Sequence, residues 1–316
     1  MHHLVTGGAG FIGSHLIDRL MADPAVQVTC VDNLYTGSIE NLDRWLDDRR
    51  FHFLEADVSD CLSMQVDQIW HLACPASPPH YQSDPIATAR TCVLGTLNML
   101  ELAHRSKARV LLASTSEVYG DPLVVPQPET YLGNVNSIGP RACYDEGKRM
   151  AETLCFDYAR CHRVSIAVAR IFNTYGPRMN PDDGRVVTNF IAQALRGEPL
   201  TLYGDGMQTR SFCYVDDLVD GLIALMNSRS QGPVNLGNPQ EITVATLARR
   251  VIEMVNPSLH VVHQQRPQDD PERRKPDITR AQSWLDWRPS VPLKSGLERT
   301  IDHLSSVLEL PTSMAA

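Results

Sequence analysis

The apolar positions along the chain fall into two rhythms. Short, β-branched, non-alternating runs at His2–Val5, Gln27–Val31, Phe51–Leu54, Gln68–Leu72, Val110–Ala113 and Val164–Ile171 read as strands. Phe11–Met21, Pro85–Ser106 and Tyr144–Cys161 read as helices between them. Strands that are apolar along their whole length and separated by helices predict a parallel sheet buried on both faces. Beyond Gly176 the rhythm breaks. A Pro-, Asn-, Asp- and Gly-rich stretch to Gly184 leads to a helix at Val186–Arg196, a short strand at Leu200–Tyr203 and a glycine loop at Gly204–Gly206, with smaller pieces to the end. This break predicts a larger α/β unit over 1–175, to which later segments return, and a smaller α/β unit mainly over 176–308. The last residues, 309–316, read as a frayed tail. The charged run Gln268–Asp277 reads as an exposed loop.

Candidate chemistry begins where the first strand ends. Thr6-Gly7-Gly8-Ala9-Gly10-Phe11-Ile12-Gly13 leads directly into the first helix. Glycines at 7, 10 and 13 let the backbone turn tightly and approach a pyrophosphate at the helix N-terminus, with Phe11 and Ile12 in the same cradle. The second strand ends in Val31-Asp32-Asn33, with Asp32 nineteen residues after Gly13. A carboxylate there accepts hydrogen bonds from ribose hydroxyls and repels a 2′-phosphate, which favours NAD over NADP. Asp57 and Val58 follow the third strand, where the adenine edge is expected, and Leu72 and Ala73 close the fourth.

A second constellation lies further along. Tyr144 and Lys148, four residues apart, share one face of a helix. An ammonium beside a phenol stabilises phenolate and makes tyrosine a usable base near neutral pH. Ser114-Thr115-Ser116-Glu117-Val118-Tyr119-Gly120 follows the fifth strand at its C-terminal end, the edge where α/β sheets place ligands. Hydroxyls there can hold a substrate alcohol, and Glu117 can handle a proton.

Composition narrows the field. With 316 residues, 43% hydrophobic and 21% charged, the chain is of globular type. The 37 acidic residues against 29 basic ones leave a net charge of −8, which argues against nucleic acid or an anionic membrane as partner. No apolar run approaches the ~18 residues of a membrane span, and the start of the chain leaves no room for a signal peptide. The eight cysteines, at 30, 61, 74, 92, 143, 155, 161 and 213, contain no Cys-x-x-Cys pair, so neither a metal site nor a disulfide framework is expected. The expectation is a reduced, cytoplasmic protein.

Together, the glycine fingerprint, Ser-x-x-Val-Tyr-Gly, Tyr-x-x-x-Lys and Arg170-Ile171-Phe172-Asn173 resemble the extended short-chain dehydrogenase/reductase family of nucleotide-sugar enzymes, over nearly the whole chain. The segments His71–Pro79, Gly139–Lys148 and Arg273–Asp277 are similar to the subgroup of that family that decarboxylates UDP-glucuronate to UDP-xylose. The resemblance implies a Rossmann-type doubly wound sheet with a smaller C-terminal substrate domain, a tightly held NAD and a UDP-sugar substrate. It also implies a homodimer formed through the Pro85–Ser106 and Tyr144–Cys161 helices. In such enzymes Tyr144, with Lys148, would take the C4 hydroxyl proton. Thr115 would contact the C4 oxygen, Ser116 and Glu117 would flank the ring and manage the C5 proton, and Arg274 would lie near the sugar carboxylate. Arg185 and Arg210 match diphosphate-gripping positions, and Tyr81, Asn173 and Tyr214 match other substrate-side positions. The rivals are a 4,6-dehydratase, a uronate 4-epimerase and a non-catalytic NAD-binding protein. Dehydratases normally carry Asp-Glu where this chain has Ser116-Glu117, and silent binders typically lose the Tyr or Lys.

Overall fold

The computed structural model describes residues 1–265 and 273–308. Its centre is a parallel sheet built from β1 (His2–Thr6), β2 (Gln27–Asp32), β3 (Phe51–Glu55), β4 (Gln68–His71), β5 (Arg109–Thr115), β6 (Ser165–Ile171) and a strand at Val234–Leu236. The spatial order, from one edge, is Val234–Leu236, β6, β5, β4, β1, β2, β3, and every neighbouring pair is parallel. Alternation across β5 shows why its residues are apolar throughout. Leu111 joins a core with Leu16, Ile17 and Leu222 on one face, while Val110 and Leu112 join Met99, Ala151 and Cys155 on the other.

Helix α1 (Phe11–Met21) and the Val215–Asn227 helix cover the first face. The second is covered by α4 (Thr96–Ser106) and α5 (Ala142–His162). Two short helices, α2 (Pro78–Ser83) and α3 (Pro85–Arg90), precede α4. The sequence predicts one helix over Pro85–Ser106. The structure instead inserts a π-helical stretch, Thr91–Gly95, between α3 and α4. Hydroxyls support the distortion: Thr91 Oγ1 donates to the Ala87 carbonyl and Thr96 Oγ1 to that of Cys92.

The C-terminal pieces form small sheets over the same end of the molecule. Leu200–Tyr203 pairs in parallel with Val261–Gln264. Thr209–Ser211 lies between antiparallel Glu241–Thr243 and parallel Arg273–Arg274. The last pairing corrects the expectation of an exposed loop over Gln268–Asp277. Arg274 is in a strand and only 7% exposed, held by the ladder and by Ser211 Oγ donating to its carbonyl. The part of that run up to residue 272, and the 309–316 tail, lie outside the described residues.

Candidate active site

The C-terminal ends of the sheet strands open into a cleft of about 1090 Å³, roofed by the C-terminal pieces. At its cofactor end, Gly7 takes φ +70° as the chain leaves β1. A Cβ on Gly13 would lie 2.2 Å from the Gly7 carbonyl oxygen, so only glycine lets α1 start this close to the turn. No side chain caps α1 at Gly10 and no acidic residue occupies its first turn, which leaves its N-terminal amides facing the cleft for an anionic group. Asp32 closes this end. Its carboxylate accepts from the Ala9 and Leu34 amides, both at 2.9 Å, and burial raises its pKa. Asn33 Nδ2 donates to Asp57 Oδ2 at 2.8 Å. A glycine cradle with open helix amides and a fixed carboxylate at the end of β2 fits the pyrophosphate and ribose of NAD.

The reactive end is built on α5 and the C-terminus of β5. Tyr144 and Lys148 are both buried on the inner face of α5. Burial raises the Tyr144 phenol well above its usual range and the Cys74 thiol adds to that, while a hydrogen bond with Thr115 pulls it back. The helix spacing predicts Lys148 as the group that acidifies the phenol. The structure places its Nζ on the Ala113 carbonyl at 2.9 Å; burial first and then the Lys148 charge lower the pKa of His71, and against its burial the Cys92 hydrogen bond and then the Lys148 charge lower that of Cys74. The Tyr81 ring lies parallel to that of Tyr144, with centroids 5.2 Å apart, and its buried hydroxyl has no hydrogen-bond partner among the described residues.

Glu117 sits in a 3-10 turn that Thr115 caps. Arg274 meets its carboxylate through a hydrogen bond, Nη2 to Oε2 at 2.8 Å, and an ion-pair contact, Nη1 to Oε1 at 2.7 Å, and Arg141 Nη2 reaches Oε2 at 2.7 Å. Burial pushes the Glu117 carboxyl up, but Arg274, Arg141 and Arg210 together hold it below the usual carboxylate range. Two planar guanidiniums converging on one carboxylate make a positively charged floor suited to a second anion.

Of the residues singled out in the sequence, all but one line this cleft: Gly7, Gly10, Phe11, Ile12, Gly13, Asp32, Asn33, Asp57, Val58, Leu72, Ala73, Tyr81, Thr115, Ser116, Glu117, Tyr144, Lys148, Asn173, Arg185, Arg210 and Arg274. Tyr214 is the exception. It is buried away from the cleft, edge-on to Tyr175 and beneath the Arg299 guanidinium. The alternation of the two-residue strand Cys213–Tyr214 and its pairing with Thr174–Tyr175 fix it there. Arg141 is the residue that sequence reasoning passed over. Its signal was the i, i+3 spacing to Tyr144, which puts it on the same side of the helix start.

A sequence profile of the NAD dependent epimerase/dehydratase family matches residues 3–237. The chain belongs to that family. Among curated members of this epimerase/dehydratase family, UDP-glucuronic acid decarboxylase 3 of Arabidopsis thaliana is 59% identical over 311 residues, covering 98% of this chain and 91% of the relative. Among solved structures, UDP-glucose 4-epimerase with UDP-glucose from Thermotoga maritima superposes with a TM-score of 0.90 at 32% identity, covering 98% of this chain and 100% of that one. UDP-glucuronic acid 4-epimerase from Bacillus cereus, in complex with UDP-glucuronic acid and NAD, has a TM-score of 0.87 at 28% identity, covering 97% of this chain and 100% of that one. The sheet is accordingly of the Rossmann type, and NAD is the cofactor.

Proposed function

We infer that the chain is an NAD-dependent carboxy-lyase that converts UDP-glucuronate to UDP-xylose. The observation that carries this reading is the Glu117 carboxylate held by Arg141 and Arg274 beside the Thr115–Tyr144 pair, in a chain 59% identical to a named UDP-glucuronic acid decarboxylase. A uronate substrate needs cationic groups for its carboxylate and a hydrogen-bonding pair for its C4 hydroxyl. Both are present within one cleft.

The chain's own residues divide the work. Gly7, Gly10 and Gly13, with the α1 amides of Phe11 and Ile12, hold the pyrophosphate of NAD, and Asp32 holds its adenosine ribose. Asn33, Asp57 and Val58 take the adenine side, and Leu72 and Ala73 back the cofactor. The chemistry that a bound NAD supplies is reversible acceptance of a hydride from C4. Tyr144 removes the C4 hydroxyl proton while Thr115 holds that oxygen, and Lys148 provides the cationic field behind them. The resulting C4 ketone lies β to the carboxylate, so CO₂ departs with its bonding electrons delocalised into an enolate. Glu117 and Ser116 manage the proton that returns to C5, and Tyr144 returns its proton to the C4 oxygen. Arg274 orients the carboxylate and then steadies the enolate. A tight ground-state clamp would oppose loss of charge from that group. Arg185 and Arg210 grip the diphosphate, and Tyr81 and Asn173 contact the sugar.

The proposed division is a cofactor unit over 1–175, to which later segments such as Val234–Leu236 return, and a mainly nucleotide-sugar-binding unit over 176–308, which supplies Arg185, Arg210 and Arg274 to the cleft. We further propose a cytoplasmic homodimer. The free cysteines suit a reducing compartment. Exposed Ile86 and Leu94, beside α4, and Met150, on α5, offer an apolar face for a second copy. The test is mass spectrometry of purified protein incubated with UDP-glucuronate, with and without added NAD. A product lighter by one CO₂ with no net reduced cofactor supports the reading, and unchanged mass with an altered retention time replaces it with epimerisation.

A further inference from the structure

We infer that Cys74 and Cys92 are a modification site: an oxidisable thiol pair beneath the catalytic tyrosine, which a peroxide-class oxidant closes to a disulfide that stops turnover. The two Sγ atoms are 3.2 Å apart. Cys74 lines the cleft and is partly exposed, so an oxidant can reach it, while Cys92 is buried directly behind. Both pack in one small cluster with Tyr81, Tyr144 and Cys143. Burial opposes ionisation of Cys74, but the hydrogen bond with Cys92 and the Lys148 charge outweigh it, so this thiol sits below its usual range. Cys92 is pushed well above its own, first by that hydrogen bond and then by burial. One thiol is therefore set to attack and the other to resolve.

The step balances with peroxide as the oxidant. The Cys74 thiolate attacks one peroxide oxygen, the O–O bond breaks, and protonation releases water and leaves a sulfenic acid. Cys92 sulfur then displaces the sulfenic hydroxyl as a second water, forming the S–S bond. Two thiols are oxidised by two electrons, and one peroxide is reduced to two waters. The other cysteines differ. Cys30, Cys155 and Cys213 are buried with raised pKa values, Cys143 lies outside the cleft with its thiol raised by burial and donating to the Tyr81 carbonyl, and Cys61 and Cys161 are exposed outside the cleft.

The location explains why closure would matter. A disulfide needs its sulfurs about 2.05 Å apart, so the pair must draw together by more than an ångström. Cys92 sits in the π-helical stretch against Gly147, where a Cβ would lie 2.9 Å from Cys92 Cβ and 3.1 Å from its Sγ. Gly147 lies between Tyr144 and Lys148 on α5. Cys74 follows Leu72 and Ala73, which line the cofactor end. The cross-link thus ties the segment backing the cofactor to the support of the catalytic helix, and displacing Tyr144 from its Thr115 partner costs rate.

The inhibition arm rests on the decarboxylase reading, whereas the cross-link arm does not. The full chain, as purified, is treated with hydrogen peroxide and assayed before and after dithiothreitol, with peptide mapping under non-reducing conditions. The expected result is a Cys74–Cys92 linked peptide, an activity loss of about tenfold or more that dithiothreitol reverses, and no reversible loss in Cys92→Ala. Because Cys92→Ala could disturb packing, alkylation of the wild-type thiols before and after peroxide decides independently. Both thiols still alkylatable while Cys61 or Cys161 oxidises would overturn the pair, as would a cross-link that leaves activity intact. Absence of decarboxylation before any oxidant overturns the functional reading, and the mapped peptides still decide the pair.

Discussion

Arg274 reaches Glu117 across 157 residues of sequence and meets both of its carboxylate oxygens, at 2.7 and 2.8 Å. With Arg141 on the same carboxylate, the pair keeps Glu117 ionised in a buried setting that would otherwise favour the protonated acid. Replacing Arg274 with Ala is expected to slow CO₂ loss by about 10²–10³-fold while sparing C4 oxidation. Single-turnover absorbance of the reduced cofactor, set against CO₂ release, separates the two steps. Equal collapse of both would remove the assigned role.

Tyr144 is the proton-transfer residue for the first chemical step, so Tyr144→Phe should stop oxidation, decarboxylation and return together. A loss of about 10²–10⁴-fold is expected, with UDP-sugar affinity, read by calorimetry, largely retained. Substantial turnover in this variant would move the base elsewhere in the cleft.

Gly13→Ala places a methyl group 2.2 Å from the Gly7 carbonyl oxygen, so the turn or the start of α1 must shift. The expected outcome is a protein that folds but purifies with little bound NAD. Ultraviolet absorbance of nucleotide released by acid precipitation gives the occupancy, and circular dichroism gives the fold. Normal occupancy would show that the cradle is not the pyrophosphate site.

Asp145 carries the pH signature. Burial, then repulsion from Glu117, pushes its carboxyl up to about 8, against the pull of Arg141 and Arg274. Its folded pKa is above the ordinary 3.8, so folding takes up a proton between those values. The associated stability is present below that lower value and is lost as pH rises through about 8. Asp145→Asn removes this titration. The difference in Tm, variant minus wild type, should grow by a few degrees toward pH 8 and flatten above it. Parallel curves from acid to alkaline pH would rule the assignment out.

What could be read from the sequence was what local spacing encodes. The glycine turn, Asp32 at the end of β2 and the Tyr144–Lys148 helix face each depend on residues close together in the chain. Three features depended on distant partners and were not legible. The Arg273–Arg274 strand exists because Thr209–Ser211 offers it a ladder, so Arg274, within a run that looks solvated, becomes buried. The π-helical stretch reflects packing of Cys92 and Gly95 against other elements, which a helix-period pattern does not display. Tyr214 came from resemblance alone, and the pairing of its strand turned it toward Tyr175.

The pairing of Arg273–Arg274 with Thr209–Ser211 also sets an order of events during synthesis. Folding on the ribosome proceeds from the N-terminus as domains emerge. The glycine cradle, Asp32, Glu117, Tyr144 and Lys148 all lie within the first half of the chain, whereas Arg274 arrives only near the end. A nascent chain can therefore acquire its cofactor cradle and its tyrosine long before it owns the arginine that steers carbon dioxide release. Until residue 274 has been added, the Glu117 carboxylate lacks the guanidinium that meets both of its oxygens, so the charge balance of the site is completed only in the last stretch of synthesis.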